Sequence, residues 1–156
     1  MEEFLKILSP SMRIRVTNYI FEQAIIKNEV FSSQVEIVEF IIEYIKPKLT
    51  FPEDPIIRMG QAGQCMYFLA SGECLVSVSN HLKQKITYKA ELLQGSFFGE
   101  ISIIFGCMCT ANVESKNYCT LAKLDQEHFQ KMCRLSPDMF HNLKDWALDS
   151  YSDDWI

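Results

Sequence analysis

The sequence predicts an α+β fold: N-terminal helices, a β-roll of short strands, and C-terminal helices. Two changes of texture and one magnitude carry that expectation. Apolar residues recur at helical spacing over residues 4–47 and again over 125–150. Between them, residues 48–124 break into short runs of Val, Ile, Tyr, Phe and Thr punctuated by Gly, Asn, Ser and Pro. With 156 residues, 48% of them apolar, the chain is long enough to bury one good core.

Taken in order, Ser9-Pro10 reads as an N-cap followed by proline at the first helical position. Met12, Val16, Tyr19, Ile20 and Ala24 then follow helical spacing. A second helix is expected from about Ser33 to Ile45, with Val35, Val38, Ile41, Ile42 and Ile45 on its apolar face and Glu36, Glu39 and Glu43 opposite. Pro47 ends it. Seven strands are expected at Lys48–Phe51, Pro55–Arg58, Met66–Ala70, Glu73–Ser79, Lys85–Glu91, Ala111–Glu114 and Cys119–Leu124. The turns fall at 52–54, 61–63, Ser71-Gly72 (which suits a tight hairpin), Asn80-His81 and 94–96. Asp125 and Ser136 are N-cap candidates for two closing helices, the second with Pro137 at its first position.

Charge and composition exclude several classes. A net charge of −5 argues against nucleic acid as a partner, since phosphate backbones reward basic faces. Residues 125–156 hold seven acidic and three basic side chains, which reads as a solvated acidic helical segment. Glu39, Glu43, Gly72 and Glu100 interrupt every long apolar stretch, so no membrane-spanning helix is expected, and Met1-Glu2-Glu3 does not open a secretory signal. The six cysteines lie mostly inside apolar runs and form no CxxC motif, which predicts free thiols in a reducing, intracellular compartment. Cys107 and Cys109, two apart, would point to opposite faces of a strand and not bond to one another. His81, His128 and His141 are dispersed, so no metal site and no cupin-type metal enzyme is expected. Nothing resembling a catalytic constellation is present, and no cofactor is implied.

Two motifs carry the functional reading. Residues 52–72 contain Pro52, Asp54, Ile56-Ile57, Gly60, Gly63, Met66-Tyr67-Phe68-Leu69 and Gly72. Residues 97–113 contain Phe98-Gly99-Glu100-Ile101-Ser102, then Cys109-Thr110-Ala111. The first resembles the opening of the cyclic-nucleotide-binding domain, and the second its phosphate-binding cassette. The resemblance implies an eight-stranded, jelly-roll-like barrel and a pocket formed by Phe98, Gly99, Glu100, Ile101, Ser102, Cys109, Thr110 and Ala111. It gives each residue a role suited to its chemistry. Gly99 lets backbone approach a ribose phosphate, and the helix starting near Glu100 offers bare N–H groups to an anion. Glu100 would accept a ribose hydroxyl, Thr110 would donate to phosphate or purine, and Ala111 leaves room. One position departs: Cys109 stands where the family places a phosphate-pairing arginine. No Lys or Arg occurs between Lys89 and Lys116, and Glu100 is the only formal charge from Leu92 to Val113.

Leu8-Ser9-Pro10-Ser11-Met12-Arg13 and the helices after it resemble the end of the linker that precedes this domain in cyclic-nucleotide-gated, hyperpolarization-activated and ether-à-go-go type cation channels. The implied organisation is linker helices over 1–32 and a nucleotide-binding-type domain over 33–156. The implied function is that of a cytoplasmic regulatory domain of a voltage- or cyclic-nucleotide-gated cation channel, one for potassium. It would sense cAMP or cGMP as a regulatory ligand and act on the rest of the channel and on neighbouring subunits of a tetramer. The helix Pro137–Ser150, with Phe140, Leu143, Trp146 and Ala147 on one face, would be the lid. In ether-à-go-go type channels residues beyond that helix fill the pocket, and Tyr151 and Trp155 would be the intrinsic ligand here. A kinase regulatory subunit would need a second tandem domain, and a catabolite-activator type transcription factor a helix-turn-helix after the long helix. Neither is expected in this chain.

Overall fold

The computed structural model describes residues 6–80 and 85–150. Helix α1 spans Pro10–Ile26, α2 Glu29–Ser32 and α3 Val35–Tyr44. Strands follow at β1 Lys46–Thr50, β2 Pro55–Ile57, β3 Cys65–Ser71, β4 Cys74–Asn80, β5 Lys85–Leu92 and β6 Phe97–Phe98. Helix α4 (Glu100–Phe105), strands β7 (Asn112–Ser115) and β8 (Cys119–Asp125), and helices α5 (Gln126–Leu135) and α6 (Pro137–Ser150) complete the chain. The eight strands form two antiparallel sheets, ordered β1-β8-β3-β6 and β2-β7-β4-β5.

The strand β3 explains how these layers stack. Its residues alternate faces as a pleated strand must. Met66, Phe68 and Ala70 join one core with Phe21, Ala24, Ile25 and Phe31 of the first helices and Met139 and Leu143 of α6. Tyr67 and Leu69 point the other way, into a second core with Cys74, Phe98, Val113, Cys119 and Leu121 between the two sheets. One sheet is therefore covered by helices on its outer face and by the second sheet on its inner face. Burial on both sides is why the run Met66–Ala70 is continuously apolar.

The caps follow the expected chemistry. The Ser9 hydroxyl accepts from the Met12 amide at 3.4 Å, the Asp125 carboxylate from the His128 amide at 3.0 Å, and the Ser136 hydroxyl from the Met139 amide at 3.3 Å.

Four sequence expectations are corrected. The first strand starts at Lys46 and not at Lys48: α3 stops at Tyr44, before Pro47 as expected, and Pro47 itself sits inside β1, paired with Ala122. Proline disfavours a helical residue before it and is tolerated on an edge strand, and β1 is at the edge. The buried ridge of α3 is Ile37 and Ile41, whereas Val35 is 67% exposed. The buried ridge of α1 is Phe21, Ala24 and Ile25, while Met12 and Tyr19 are exposed. Ser71-Gly72 is not a hairpin, because β3 pairs with β6 and β8 while β4 pairs with β5 and β7. There the chain crosses from one sheet to the other. Gly72, at φ 91°, is required: a Cβ would sit 2.4 Å from the Tyr118 carbonyl oxygen. The turn expected at Asn80-His81 extends beyond the described residues at His81.

Candidate functional site

The inner face of the second sheet and the segment around α4 enclose a cavity of about 190 Å³. Strands β2, β4, β5 and β7 contribute Ile57, Val76, Ala90, Leu92 and Val113. Phe98 of β6, Gly99, and Glu100, Ile101 and Ser102 of the first turn of α4 form a second wall. Cys109, Thr110 and Ala111, leading into β7, form a third, and Ser150 at the end of α6 closes one side. All eight residues singled out from the sequence thus line a single cavity. Tyr151 and Trp155 lie outside the described residues.

Local structure fixes each group. Gly99, the N-cap of α4, has φ 86°, and a Cβ there would lie 2.8 Å from the Cys65 carbonyl oxygen. Only glycine turns the chain so tightly from β6 into α4 against β3. The turn carries Glu100 inward, leaving it 1% exposed. The Ser102 hydroxyl donates to the Gly99 carbonyl at 3.2 Å, closing the first turn on itself. It also explains Gly63, where a Cβ would lie 1.8 Å from the Ser102 oxygen and 3.4 Å from the Cys109 sulfur. Cys109 is held through its backbone: its amide donates to the Gln61 carbonyl at 2.8 Å, and its carbonyl accepts from the Gly60 amide at 2.8 Å. The glycine-marked turn of the first motif thus sets the position of the cassette in the second.

Behind the cavity, Phe98 stacks on Tyr67 at 5.3 Å between centroids. Burial, reinforced by Cys65 and Cys109, pushes the Tyr67 phenol up to about 12, so it stays a neutral hydroxyl at physiological pH. Glu100 is the one formally charged residue among the described lining residues, and none of them is Lys or Arg. The neighbouring Phe97 faces the opposite core, 4.6 Å from the Trp146 ring of α6 and 5.1 Å from the Phe31 ring of α2. The lid face expected on α6 is there in part. Leu143 and Ala147 are buried, joined by Met139, which the sequence reading passed over, while Phe140 and Trp146 flank this ridge half-buried.

The lining residues missed from sequence are Ile57, Val76, Ala90, Leu92, Val113 and Ser150. Strand alternation carries a signal for Val76, two residues from the inward Cys74. Ser150 leaves none, since its place depends on how α6 docks. A larger hollow of about 460 Å³ lies between α1 and β1, bounded by Phe21, Pro47, Leu49, Phe51 and Tyr118, and contains no residue of the cassette.

A family model described as cyclic nucleotide-binding domain matches residues 51–136. The chain is 26% identical over 149 residues to potassium/sodium hyperpolarization-activated cyclic nucleotide-gated channel 1 of Homo sapiens. It is 28% identical over 149 residues to channel 4 of the same species. Each alignment covers 95% of this chain but only 16% and 12% of the respective channel. Among solved structures, the regulatory domain of Toxoplasma gondii PKA, crystallised with cAMP, superposes with a TM-score of 0.75 at 16% identity, over 86% of this chain and 50% of that one. The Thermus thermophilus catabolite activator protein superposes with a TM-score of 0.71 at 26% identity, over 79% and 58%.

Proposed function

Since the chain belongs to the cyclic nucleotide-binding domain family and is related to that domain of hyperpolarization-activated channels, we propose that it is the regulatory domain of a cation channel. In this reading residues 1–32 are the linker towards the gate, and residues 33–156 hold a small molecule in the cavity. The wider channel is voltage- or cyclic-nucleotide-gated, of potassium-conducting type, tetrameric, with this domain on the cytoplasmic side. The domain's partners are the rest of the channel and neighbouring subunits, and its work is binding, not catalysis. The observation that carries the reading is the convergence of the eight cassette residues on one cavity that the end of α6 also lines. Phe97 supplies a physical route outward, because it follows the cavity from the adjacent position and touches both α6 and α2. An occupant changes the gate only insofar as it favours one placement of these helices over another.

A second reading is favoured by Ser150, whose position brings the chain to the cavity wall just before Tyr151. In that reading residues 151–156 fill the cavity, with Tyr151 or Trp155 as the intrinsic occupant. Calorimetric titration with cAMP, cGMP, adenosine and guanosine separates the two. Trp146 fluorescence in a Trp155→Phe background reports on α6 in parallel. Binding to the full chain with a change in Trp146 emission supports the first reading. Binding only after removal of residues 151–156, with lowered thermal stability, supports the second. No binding to either form overturns the assignment of the cavity as a ligand site.

A further inference from the structure

We propose that Cys74 and Cys119 form a peroxide-sensitive thiol pair, which oxidation joins into a disulfide between the two sheets.

Cys74 opens β4 in the second sheet, and Cys119 opens β8 in the first. Both thiols are free and buried, and their sulfurs lie 3.8 Å apart. A disulfide brings two sulfurs to about 2.05 Å, a move that side-chain rotation supplies where the backbones already run close together. Here they do. Cys74 pairs with Ser115 across the second sheet, and the turn that follows Ser115 folds onto Glu73. The Lys116 amide donates to the Glu73 carbonyl at 2.9 Å, and the Glu73 amide donates to the Asn117 side-chain oxygen at 2.8 Å. The Cys119 thiol donates to the same Glu73 carbonyl at 3.2 Å. Gly72 permits the approach, since a Cβ there would lie 2.8 Å from the Cys119 sulfur and 2.9 Å from the Cys119 Cα. Neighbours fixed in this way make the bond-forming step intramolecular.

The two thiols are not equivalent. Cys119 is among the residues lining the hollow of about 460 Å³ between α1 and β1, and Cys74 is not. Burial and the facing Cys119 push the Cys74 thiol up, so Cys74 stays protonated at physiological pH. Cys119 therefore reacts first. Its sulfur attacks one oxygen of hydrogen peroxide, the O–O bond breaks, and the thiol proton leaves with the other oxygen as water. Cys119 is then a sulfenic acid. The Cys74 sulfur attacks the Cys119 sulfur, the S–S bond forms and the S–O bond breaks. The Cys74 proton departs with the hydroxyl as a second water. The thiols have lost two electrons, and the peroxide has been reduced to water. The resulting bridge ties β4, whose Val76 walls the cassette cavity, to β8, whose Thr120 lines the hollow beside α1.

The test treats the full chain with hydrogen peroxide under native conditions, blocks the remaining thiols, and digests the monomer without reduction. Cleavage after Glu73 separates Cys74 from Cys65, and cleavage after Lys116 isolates Cys119 on residues 117–123. The expected product is peptide 74–83 joined to peptide 117–123, separated again by dithiothreitol. The bridged chain is expected to melt higher than the reduced one by roughly 5 °C or more, because the bond closes a long loop. Cys74→Ala removes the joined peptide and leaves Cys119 to proceed to sulfinic acid. Circular dichroism establishes that this variant folds, and Cys74→Val replaces it if it does not. Oxidation of Cys119 without the joined peptide overturns the proposal, as does a bridge that forms only in urea. A bridged chain that melts below the reduced one also overturns it, because the folded geometry would then oppose the bond.

Discussion

At the scale of single residues, the glycines separate two kinds of constraint. Gly60 and Gly72 both have positive φ, 83° and 91°. A Cβ at Gly60 meets nothing within 4 Å, whereas one at Gly72 meets the Tyr118 carbonyl at 2.4 Å and the Cys119 sulfur at 2.8 Å. Gly60→Ala therefore incurs only the left-handed backbone cost, about 1–2 kcal/mol. Gly72→Ala adds a backbone collision, and the total is about 2–5 kcal/mol once an overpacking cost of 1–3 kcal/mol is included. Urea denaturation of the two variants checks the difference, and equal midpoint shifts would show that the β3–β4 crossover has room to spare. Gly72 was visible in the sequence as a turn signal and Gly60 as a member of the first motif, but their unequal roles were not. Which atoms approach Gly72 depends on the 118–119 segment, 46 residues away, meeting it across the two sheets.

The elements show where local signals suffice and where they do not. Ser9, Asp125 and Ser136 were legible as caps because an N-cap is satisfied within three residues. The Asp125 carboxyl is held below its ordinary range first by the His128 amide and then by the His128 ring, at 2.8 Å. A depressed folded value means that the unfolded chain takes up the proton first as pH falls. The stabilisation is complete above the unfolded value of about 3.9 and is lost as pH drops through the folded one. Asp125→Ala thus costs about 1 kcal/mol at pH 7 and progressively less in acid. Chemical denaturation between pH 7 and pH 3 measures this, and a pH-independent difference would remove the carboxylate from the account. The buried ridges of α1 and α3 were less legible. Both helices have apolar residues on more than one side, so periodicity alone did not say which side meets the sheet. The helix α6 offers a sharper contrast, Leu143 being fully buried and Leu148 46% exposed. Leu143→Ala should cost about 2–5 kcal/mol and Leu148→Ala at most about 0.5 kcal/mol. Were Leu143→Ala to cost no more than Leu148→Ala, α6 would not be docked tightly enough to hold Ser150 at the cavity.

On the scale of the whole molecule, the order helix, roll, helix was legible from the change of hydrophobic period, and the eight cassette residues of the cavity through the resemblance of two glycine-marked motifs to a known family. The inner walls from β4, β5 and β7 were not, because they form only when the second sheet closes over the first. The same holds for the relation between the N-terminal helices and the roll. The resemblance implies a boundary at about residue 32, yet Phe31 sits edge-on to Phe68 at 5.3 Å and to Phe97 at 5.1 Å, fully buried. Its ring belongs to a core shared by α1, β3 and α6. The N-terminal helices and the roll are therefore packed as one unit wherever Phe31 is seated. Phe31→Ala should cost about 3–5 kcal/mol, a large part of the roughly 5–15 kcal/mol that stabilises a domain. Unfolding should remain one cooperative step, with Trp146 fluorescence and far-UV circular dichroism tracing the same curve in the Trp155→Phe background. Two separated transitions, with Phe31→Ala moving only the first, would show helices that fold apart from the roll. That outcome would also deprive Phe97 of its place between the cavity wall and the N-terminal helices.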